Sequence, residues 1–419
     1  MRLDYDILTI VMSCARRGDV GRMMSTCRTL HHAGVPHFLH GSLEIKSAEQ
    51  LDSLCEFMRG DVRYRSLFLR DLDLAEYSRT LIEYSTPDTS FFKLISEYAQ
   101  HLEALSIQNT STLAFVMSSA LSGLNNLHKL TIWAYSEELE WLLNEIQAPI
   151  RNLKISFWDD WSGNGELVVD PAVICASLKD CLEELDVSFV DFKTSDIQYS
   201  RLTTLRVEGS KFTEIEHIVG SFPNLSDFDF CMLHDVNTTS EREIEQHRML
   251  NSEARRRGCW ISLKRLESDL LSLYMLSVQS TVRNLKLRRR PGSPNEFGLH
   301  DGPRLQAVLL DTQPSSLEFS LPTPSFDISK LDGLLGPVQG CLTTLILTVE
   351  IHNFEYIDPT PELVSQTLAF CAQSRLSSDI FLEGNVVCVI CVQHPASVSS
   401  RQVDLHWLNM WKSGLGPKY

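Results

Sequence analysis

The sequence contains two groups of cysteine or histidine residues, which are residue types that can bind a metal ion. Cys388 and Cys391 form a C-x-x-C pair, and four histidines lie within residues 31–40. A structural zinc site needs four such ligands in tetrahedral geometry. No second C-x-x-C pair accompanies Cys388 and Cys391, and strand-like alternation would place these two cysteines on opposite faces. We interpret the histidines as surface residues near a domain boundary. The sequence therefore predicts no metal site and no cofactor.

Three catalytic signatures that depend on spacing are absent from the sequence: G-x-S-x-G, H-E-x-x-H and the phosphate-binding G-x-x-x-x-G-K. A lone G-x-G occurs in "SGNGE" (162–166). It lacks a third glycine and the strand–turn–helix context that would position a phosphate. We therefore expect no catalytic residues and a protein that is not an enzyme.

The chain has 419 residues and a formal net charge of −16. Nucleic acids and anionic membranes are bound by clustered Lys and Arg, so this acidic balance argues against both partners. Asp4 and Asp6 interrupt the apolar stretch that a secretory signal would need. The longest apolar run, residues 386–392, is far shorter than the roughly 20 residues of a membrane helix. We expect an intracellular protein, cytoplasmic or nuclear or both, that binds neither nucleic acid nor membrane.

A short pattern, apolar-x-x-apolar-x-apolar, recurs along the chain. Its last four positions alternate as in a β-strand, and several copies follow helical apolar stripes such as "EELEWLLNEIQ" (137–147). The strong copies lie at residues 101–107, 126–132, 149–155, 181–187, 201–207, 224–230, 281–287 and 341–347. Weaker copies are "RYRSLFL" (63–69), "SLKRL" (262–266) and "PSSLEF" (314–319).

These segments resemble leucine-rich repeats in their L-x-x-L-x-L core. The resemblance implies an α/β leucine-rich-repeat solenoid, with parallel strands on the concave face and helices outside, because no single repeat can bury both of its faces. We predict that the solenoid spans residues 41–393 and that a C-terminal cap or tail follows at 394–419. The alternative is an ordinary α/β domain with parallel strands.

Residues 1–40 interrupt the repeat period and carry short helical apolar stripes. Asp19 suits the N-cap of a second helix. Gly34 and Pro36 predict the end of a third, since glycine favours the position after a helix and proline cannot continue one. We predict a small all-helical domain over residues 1–40.

This segment resembles an F-box in its apolar positions, in an Asp before the second helix and in a Cys-basic turn into the third. The matching residues are Leu3, Asp6, Ile7, Leu8, Val11, Met12, Asp19, Val20, Met23, Cys27 and Arg28. Asp4 stands where the family has proline, and Leu30 where it often has an aromatic residue. Together with the repeats, the chain resembles the fungal family of F-box proteins with leucine-rich repeats.

The resemblance implies a substrate-recognition subunit of a Skp–cullin–F-box ubiquitin ligase. The helical domain would bind the Skp adaptor of the cullin ligase, and the solenoid would bind an unidentified protein substrate. The adaptor-binding surface of the helical domain and its core would consist of Leu3, Ile7, Leu8, Val11, Val20, Met23 and Cys27. The alternative is an interaction scaffold outside any ligase, whose N-terminal helices serve only as a cap on the first repeat.

Residues between the apolar positions of each strand would point onto the concave face. They include an aromatic residue, then an acidic stretch and then basic residues. The predicted partner-binding residues are Trp133, Lys154, Glu184, Asp186, Arg206, Asp227, Asp229, Arg265, Lys286 and Arg288. Such a pattern would select a partner of complementary charge. The alternative is that these charges only keep a solvated sheet soluble.

Overall fold

The structure of the chain is a computed structural model. It describes residues 4–74, 99–108, 121, 123–134, 136–157, 169–194, 196–210, 214–232, 240–254, 259–288, 301–322, 335–338, 340–351 and 385–392. The chain divides into two compact units, which are described separately. Unit 1 is Met1–Val190 with Tyr199–Leu202, and unit 2 is Asp191–Gln198 with Thr203–Tyr419.

Unit 1 begins with helices and continues as a parallel sheet. Its helices are α1 (Tyr5–Cys14), α2 (Arg17–Met24), α3 (Arg28–Leu39), α4 (Ala48–Arg59), α5 (Val62–Arg65), α6 (Ser136–Glu145) and α7 (Pro171–Ile174), with 3₁₀ turns at Ser66–Phe68 and Ala176–Leu178. Its strands are β1 (Ser42–Glu44), β2 (Asp71–Asp73), β3 (Ala104–Gln108), β4 (Lys129–Ala134), β5 (Asn152–Phe157) and β6 (Glu184–Ser188). Each strand pairs in parallel with the next one along the chain.

Unit 2 repeats the same arrangement of parallel strands and intervening helices. Its strands are β7 (Thr204–Ser210), β8 (Asp227–Met232), β9 (Ser262–Ser268), β10 (Thr281–Leu287), β11 (Ser316–Pro322), β12 (Thr344–Ile351) and β13 (Asn385–Val392). Its helices are α8 (Ile215–Ser221), α9 (Glu241–Ala254), α10 (Leu270–Leu276) and α11 (Asp301–Thr312), with a 3₁₀ turn at Gly336–Val338. Consecutive strands again pair in parallel.

Apolar residues of neighbouring strands lie in register and form a buried ladder inside each unit. In unit 1 the ladder consists of Leu43, Leu72, Leu105, Leu130, Leu153 and Leu185. In unit 2 it consists of Leu205, Phe228, Leu266, Leu285, Leu317 and Leu345. Each of these side chains is shielded by its neighbours, which is how stacked repeats build a continuous core. The predicted α/β architecture, solenoid-like with N-terminal helices, is confirmed.

Helix α3 does not end at Gly34 as the sequence predicted. It continues to Leu39 through Pro36. A Cβ at Gly34 would lie 2.3 Å from Cγ of Met24, so glycine is needed there for close packing against α2. Pro36 has no N–H for the carbonyl of His32, but the Tyr64 hydroxyl donates to that carbonyl at 3.4 Å. The helix therefore tolerates both residues because tertiary contacts compensate for them.

The weak repeat copy at residues 63–69 is not a strand. It forms the end of α5 and a 3₁₀ turn, and the strand of this repeat follows at Asp71–Asp73. The Asp61 side chain accepts the Tyr64 N–H at 3.4 Å and caps α5. Arg65 is buried, lies 4.1 Å from the ring centroid of Phe57, and has Nη2 2.9 Å from Nε2 of His31. These contacts favour a helical turn, and they also link α3 to the segment that precedes β2.

The predicted C-terminal cap or tail at 394–419 lies outside the described residues. Within the part of the chain that the structure describes, no helix combines the length and the apolarity required to cross a membrane.

Two buried polar side chains meet where α7 packs inside unit 1. Tyr199 is fully buried and donates its hydroxyl to the carbonyl of Ala172 at 2.7 Å. Cys175 is also buried, and burial, with a smaller contribution from the Asp170 carboxylate, raises the pKa of its thiol from an ordinary 9.0 to about 12. Both groups are therefore held in their neutral forms by the packing of unit 1.

The raised pKa of Cys175 predicts a loss of stability in alkali. The unfolded chain releases the thiol proton near pH 9, whereas the folded chain retains it up to about pH 12, so the stabilisation is complete below pH 9 and is lost as the pH rises toward 12. The slope attributable to this group approaches about 1.4 kcal/mol per pH unit. Urea unfolding at several pH values above 8 should show a shallower decline for Cys175→Ala than for the parent chain. The exposed thiol of Cys259 offers a matched control, and equal slopes for all three chains would contradict the prediction.

Candidate protein-interaction surfaces

Alternation along each strand places polar side chains on the face of the sheet opposite the buried ladder. In unit 1 the register arranges these residues in three rows, and we call this surface the unit 1 polar face. The rows are Ser42, Asp71, Ala104, Lys129, Asn152 and Glu184; then Glu44, Asp73, Ser106, Thr131, Lys154 and Asp186; and then Trp133, Ser156 and Ser188.

Polar contacts link neighbouring strands on the unit 1 polar face. Nζ of Lys154 lies 3.0 Å from Oδ2 of Asp186, and Nδ2 of Asn152 donates to Oε2 of Glu184 at 2.9 Å. Trp133 lies half-buried one row further along, among uncharged neighbours. The sequence-predicted residues of this unit therefore share one surface, on which an aromatic ring adjoins a paired set of charges.

The polar face of unit 2 is also charged. We call this surface the unit 2 polar face. Its first two rows are Thr204, Asp227, Arg265, Asn284, Ser316 and Thr344, and then Arg206, Asp229, Glu267, Lys286, Glu318 and Ile346. Every residue predicted from the sequence in this unit lies in these rows, except Arg288, which directly follows β10.

Glu267 lies at the centre of the unit 2 polar face and was not predicted. Its side chain is only 8% exposed and is surrounded by cations: it pairs with Arg265, its Oε1 lies 3.2 Å from Nε of Arg288, and the same oxygen lies 3.8 Å from Nζ of Lys286. The weak repeat copy in the sequence stopped at Leu266. Extending its alternation by one residue would have placed a carboxylate between the predicted basic positions, so the signal was present.

Arg288 connects three strands of unit 2. Its guanidinium pairs with Asp229 on β8 as well as with Glu267 on β9. Burial lowers the pKa of Arg288, and the nearby Glu208 carboxylate opposes that shift. A planar guanidinium can bridge two carboxylates in this way, which a lysine ammonium cannot do with the same geometry. Lys286 has a second carboxylate at 3.2 Å, on Glu318 of β11, so the pairing continues across the sheet.

A second candidate surface lies on the N-terminal helices. Met12 of α1 is 1% exposed and faces the core, whereas Ile7, Ile10 and Val11 are 50%, 63% and 47% exposed. These three residues and the exposed Cys14 fall at i, i+3, i+4 and i+7, so they occupy one side of the helix. We call them the α1 apolar stripe. Ile10 and Cys14 were missed because the sequence pattern assigned roles only to positions matching the family motif.

The other predicted adaptor-binding residues are distributed between the core and the surface. Val20 is buried, Leu8 and Met23 are half-buried, and Cys27 is exposed at the N-cap of α3. Leu3 lies outside the described residues. Among the predicted adaptor-binding residues that the structure describes, Ile7 and Val11 are thus the aliphatic residues most exposed to solvent.

One group of possible metal ligands occurs in unit 2. Glu214, Glu216 and His217 have ligand atoms within 4.8 Å of one another, and Nε2 of His217 lies 3.7 Å from Oε2 of Glu214. The cluster lies at the start of α8 and is open to solvent. Exposed acidic groups commonly meet at helix starts, where they interact favourably with the helix dipole, so this arrangement does not by itself indicate a metal site.

No protein-family model matches the chain, and no curated protein matches it significantly. Fold and surfaces define the class: an α/β repeat protein with N-terminal helices, parallel strands paired in chain order, and polar sheet faces opposite the buried ladders.

The charge cluster around Glu267 predicts that this residue contributes more to the free energy of unfolding than Glu318, an acidic residue of the same row. Glu267→Gln removes the carboxylate shared by three cations and should lower the free energy of unfolding by about 1–2 kcal/mol, less than for a fully buried pair because the cations are partly solvated. Glu318→Gln removes a more exposed partner of Lys286 and should cost less than about 0.5 kcal/mol. Urea denaturation of both variants checks this, and equal losses would show that the cluster is not centred on Glu267.

Proposed function

We propose that the chain is the substrate-recognition subunit of a Skp–cullin–F-box ubiquitin ligase. In this proposal the N-terminal helices bind the Skp adaptor, and a polar sheet face binds a protein substrate. The chain itself catalyses no reaction; it holds the substrate near the ubiquitin-transferring enzyme and so raises its effective concentration. Such a ligase would act in the cytoplasm, in the nucleus or in both.

The observation that supports adaptor binding is the α1 apolar stripe. Ile7, Ile10 and Val11 lie on the side of α1 away from Met12, so the core does not need them. Apolar side chains grouped on one solvent-facing helix side are typical of interaction sites. A helix of the adaptor that covered this stripe would bury all three side chains at once.

Substrate binding is supported by the charge pattern of the two polar faces. The unit 1 polar face combines a half-buried Trp133 with charged rows, and aromatic residues are enriched among those that dominate binding energy at interfaces. On the unit 2 polar face the charges are mostly matched in pairs around Glu267. We infer that either polar face, taken by itself, can bind a protein substrate: the unit 1 polar face through the apolar surface of Trp133, and the unit 2 polar face through charges that select a complementary partner.

A second candidate function is an interaction scaffold in which the helices only cap the first repeat. Contacts that hold these helices together and join them to the first repeat are the observation that supports it. Arg17 donates to the carbonyls of Phe38 and His40, both at 3.0 Å, and the contact between Arg65 and His31 joins α3 to the segment before β2. These contacts fix the helices in place, which both candidate functions require.

Charged substitutions in the α1 apolar stripe separate the two functions. Ile10→Asp, and separately Val11→Asp, should weaken binding to a purified Skp adaptor by at least about tenfold, because each places a carboxylate in an apolar interface. Thermal unfolding should change little, since both side chains are already about half exposed or more. Biolayer interferometry with immobilised adaptor gives the affinities.

Leu310→Asp provides the matched control, because Leu310 is an exposed leucine on α11 of unit 2. It should leave adaptor binding unchanged. Undiminished binding by both α1 variants would exclude docking through this stripe, and a parent chain that fails to bind the adaptor would leave the scaffold function as the better account.

A further inference from the structure

An open groove of about 710 Å³ lies in unit 1, between the C-terminal ends of α1 and α3 and the 3₁₀ turn before β2. Its size is within the range of sites that take several side chains of a ligand. Its lining includes His37, His40, Leu67, Phe68, Arg70 and His101. None of them belongs to the α1 apolar stripe.

The floor of the groove is apolar. Leu67 is 44% exposed although it is a large aliphatic residue, and Pro36 also lines the groove. The ring of Phe68 is held edge-on against Tyr64, with ring centroids 5.1 Å apart, so this wall is fixed by packing. A fixed apolar wall beside an exposed leucine is suited to receive an apolar side chain.

The polar part of the groove is basic, although the chain as a whole carries a net charge of −16. Three histidines and Arg70 line it, and among the residues that the structure describes none of the lining side chains is acidic. Arg70 is held by an ion pair of 2.6 Å between its Nη1 and Oε1 of Glu103, which lies outside the lining. The groove therefore presents the hydrogen-bond donors of Arg70 and the histidine rings, although the net charge of the chain is negative.

The end of α3 would ordinarily oppose this basic character, because the last carbonyls of a helix carry partial negative charge. Arg17 offsets that charge. Its guanidinium donates to the carbonyls of Phe38 and His40, at the end of α3 and directly after it. The side chains of His37 and His40 thus extend from a helix end whose carbonyls are already paired with a cation.

We propose that this groove binds an acidic peptide segment of a partner protein. One apolar side chain of the peptide packs against Leu67 and Phe68, and neighbouring carboxylates accept hydrogen bonds from Arg70 and the histidines. Charge complementarity selects an acidic occupant over a basic or neutral one. The proposal is independent of adaptor docking, since it uses different residues and no component of a ligase.

The test uses the full chain and a short fluorescein-labelled peptide in which one leucine is flanked by glutamates. Fluorescence anisotropy should show saturable binding of this probe, while a peptide with lysine in place of each glutamate, and one with serine in place of the leucine, should bind at least about tenfold more weakly. Arg70→Gln should weaken the glutamate probe about fivefold, and Leu67→Ser about tenfold.

Two controls carry equivalent changes elsewhere. Arg22→Gln removes an exposed arginine that pairs with Asp19 on α2, and Leu310→Ser removes an exposed leucine of unit 2; both should bind the probe like the parent chain. His101→Gln tests the groove without altering the pair between Arg70 and Glu103, and should also weaken binding. Equal binding of the glutamate and lysine probes, or unchanged affinity in all three groove variants, would overturn the proposal.

Discussion

The register of the buried ladder is the constraint on which the structure of both units depends. Leu105, Leu130 and Leu153 lie side by side because none of these strands has enough apolar surface of its own to exclude water from them. A shift of one residue in any strand would turn its leucine to solvent and its polar residues into the core. The ladder therefore fixes the register, and with it the position of every side chain on the opposite face.

That fixed register explains the charge network of unit 2. Asp229 and Glu267 are held directly beside each other on β8 and β9, a pairing of like charges that would be unfavourable alone. Arg288 reaches both carboxylates from the end of β10, and Lys286, which is directly opposite Glu267 on β10, approaches the Glu267 carboxylate as well. The basic residues thus first compensate neighbours within the sheet. The basic residues that the sequence predicted for partner binding in this region, Arg265, Lys286 and Arg288, form ion pairs within the sheet.

The sequence was sufficient for the strands with strong repeat copies but not for the local exceptions. Repeat periodicity located these strands because their apolar positions are buried at alternate residues. It failed at residues 63–69, where a helix cap at Asp61 and the buried Arg65 outweigh a strand-like pattern. It also ended α3 at Gly34, because packing against Met24 cannot be read from one segment alone. Glu267 was within reach of the pattern, whereas the basic groove combines residues distant in sequence, from His37 to His101.

The N-terminal helices have two different sides, and the difference bears on their role. Met12, Val20 and Met24 are buried, Arg17 ties α2 to the end of α3, and Arg65 links α3 to the segment before β2. A helix that only shields the end of a repeat array is expected to present a polar outer surface, because terminal caps keep such arrays soluble. Helix α1 instead exposes its apolar stripe. A cap would gain nothing from these side chains, whereas a helix that is covered by a partner requires them, and this asymmetry favours docking over capping alone.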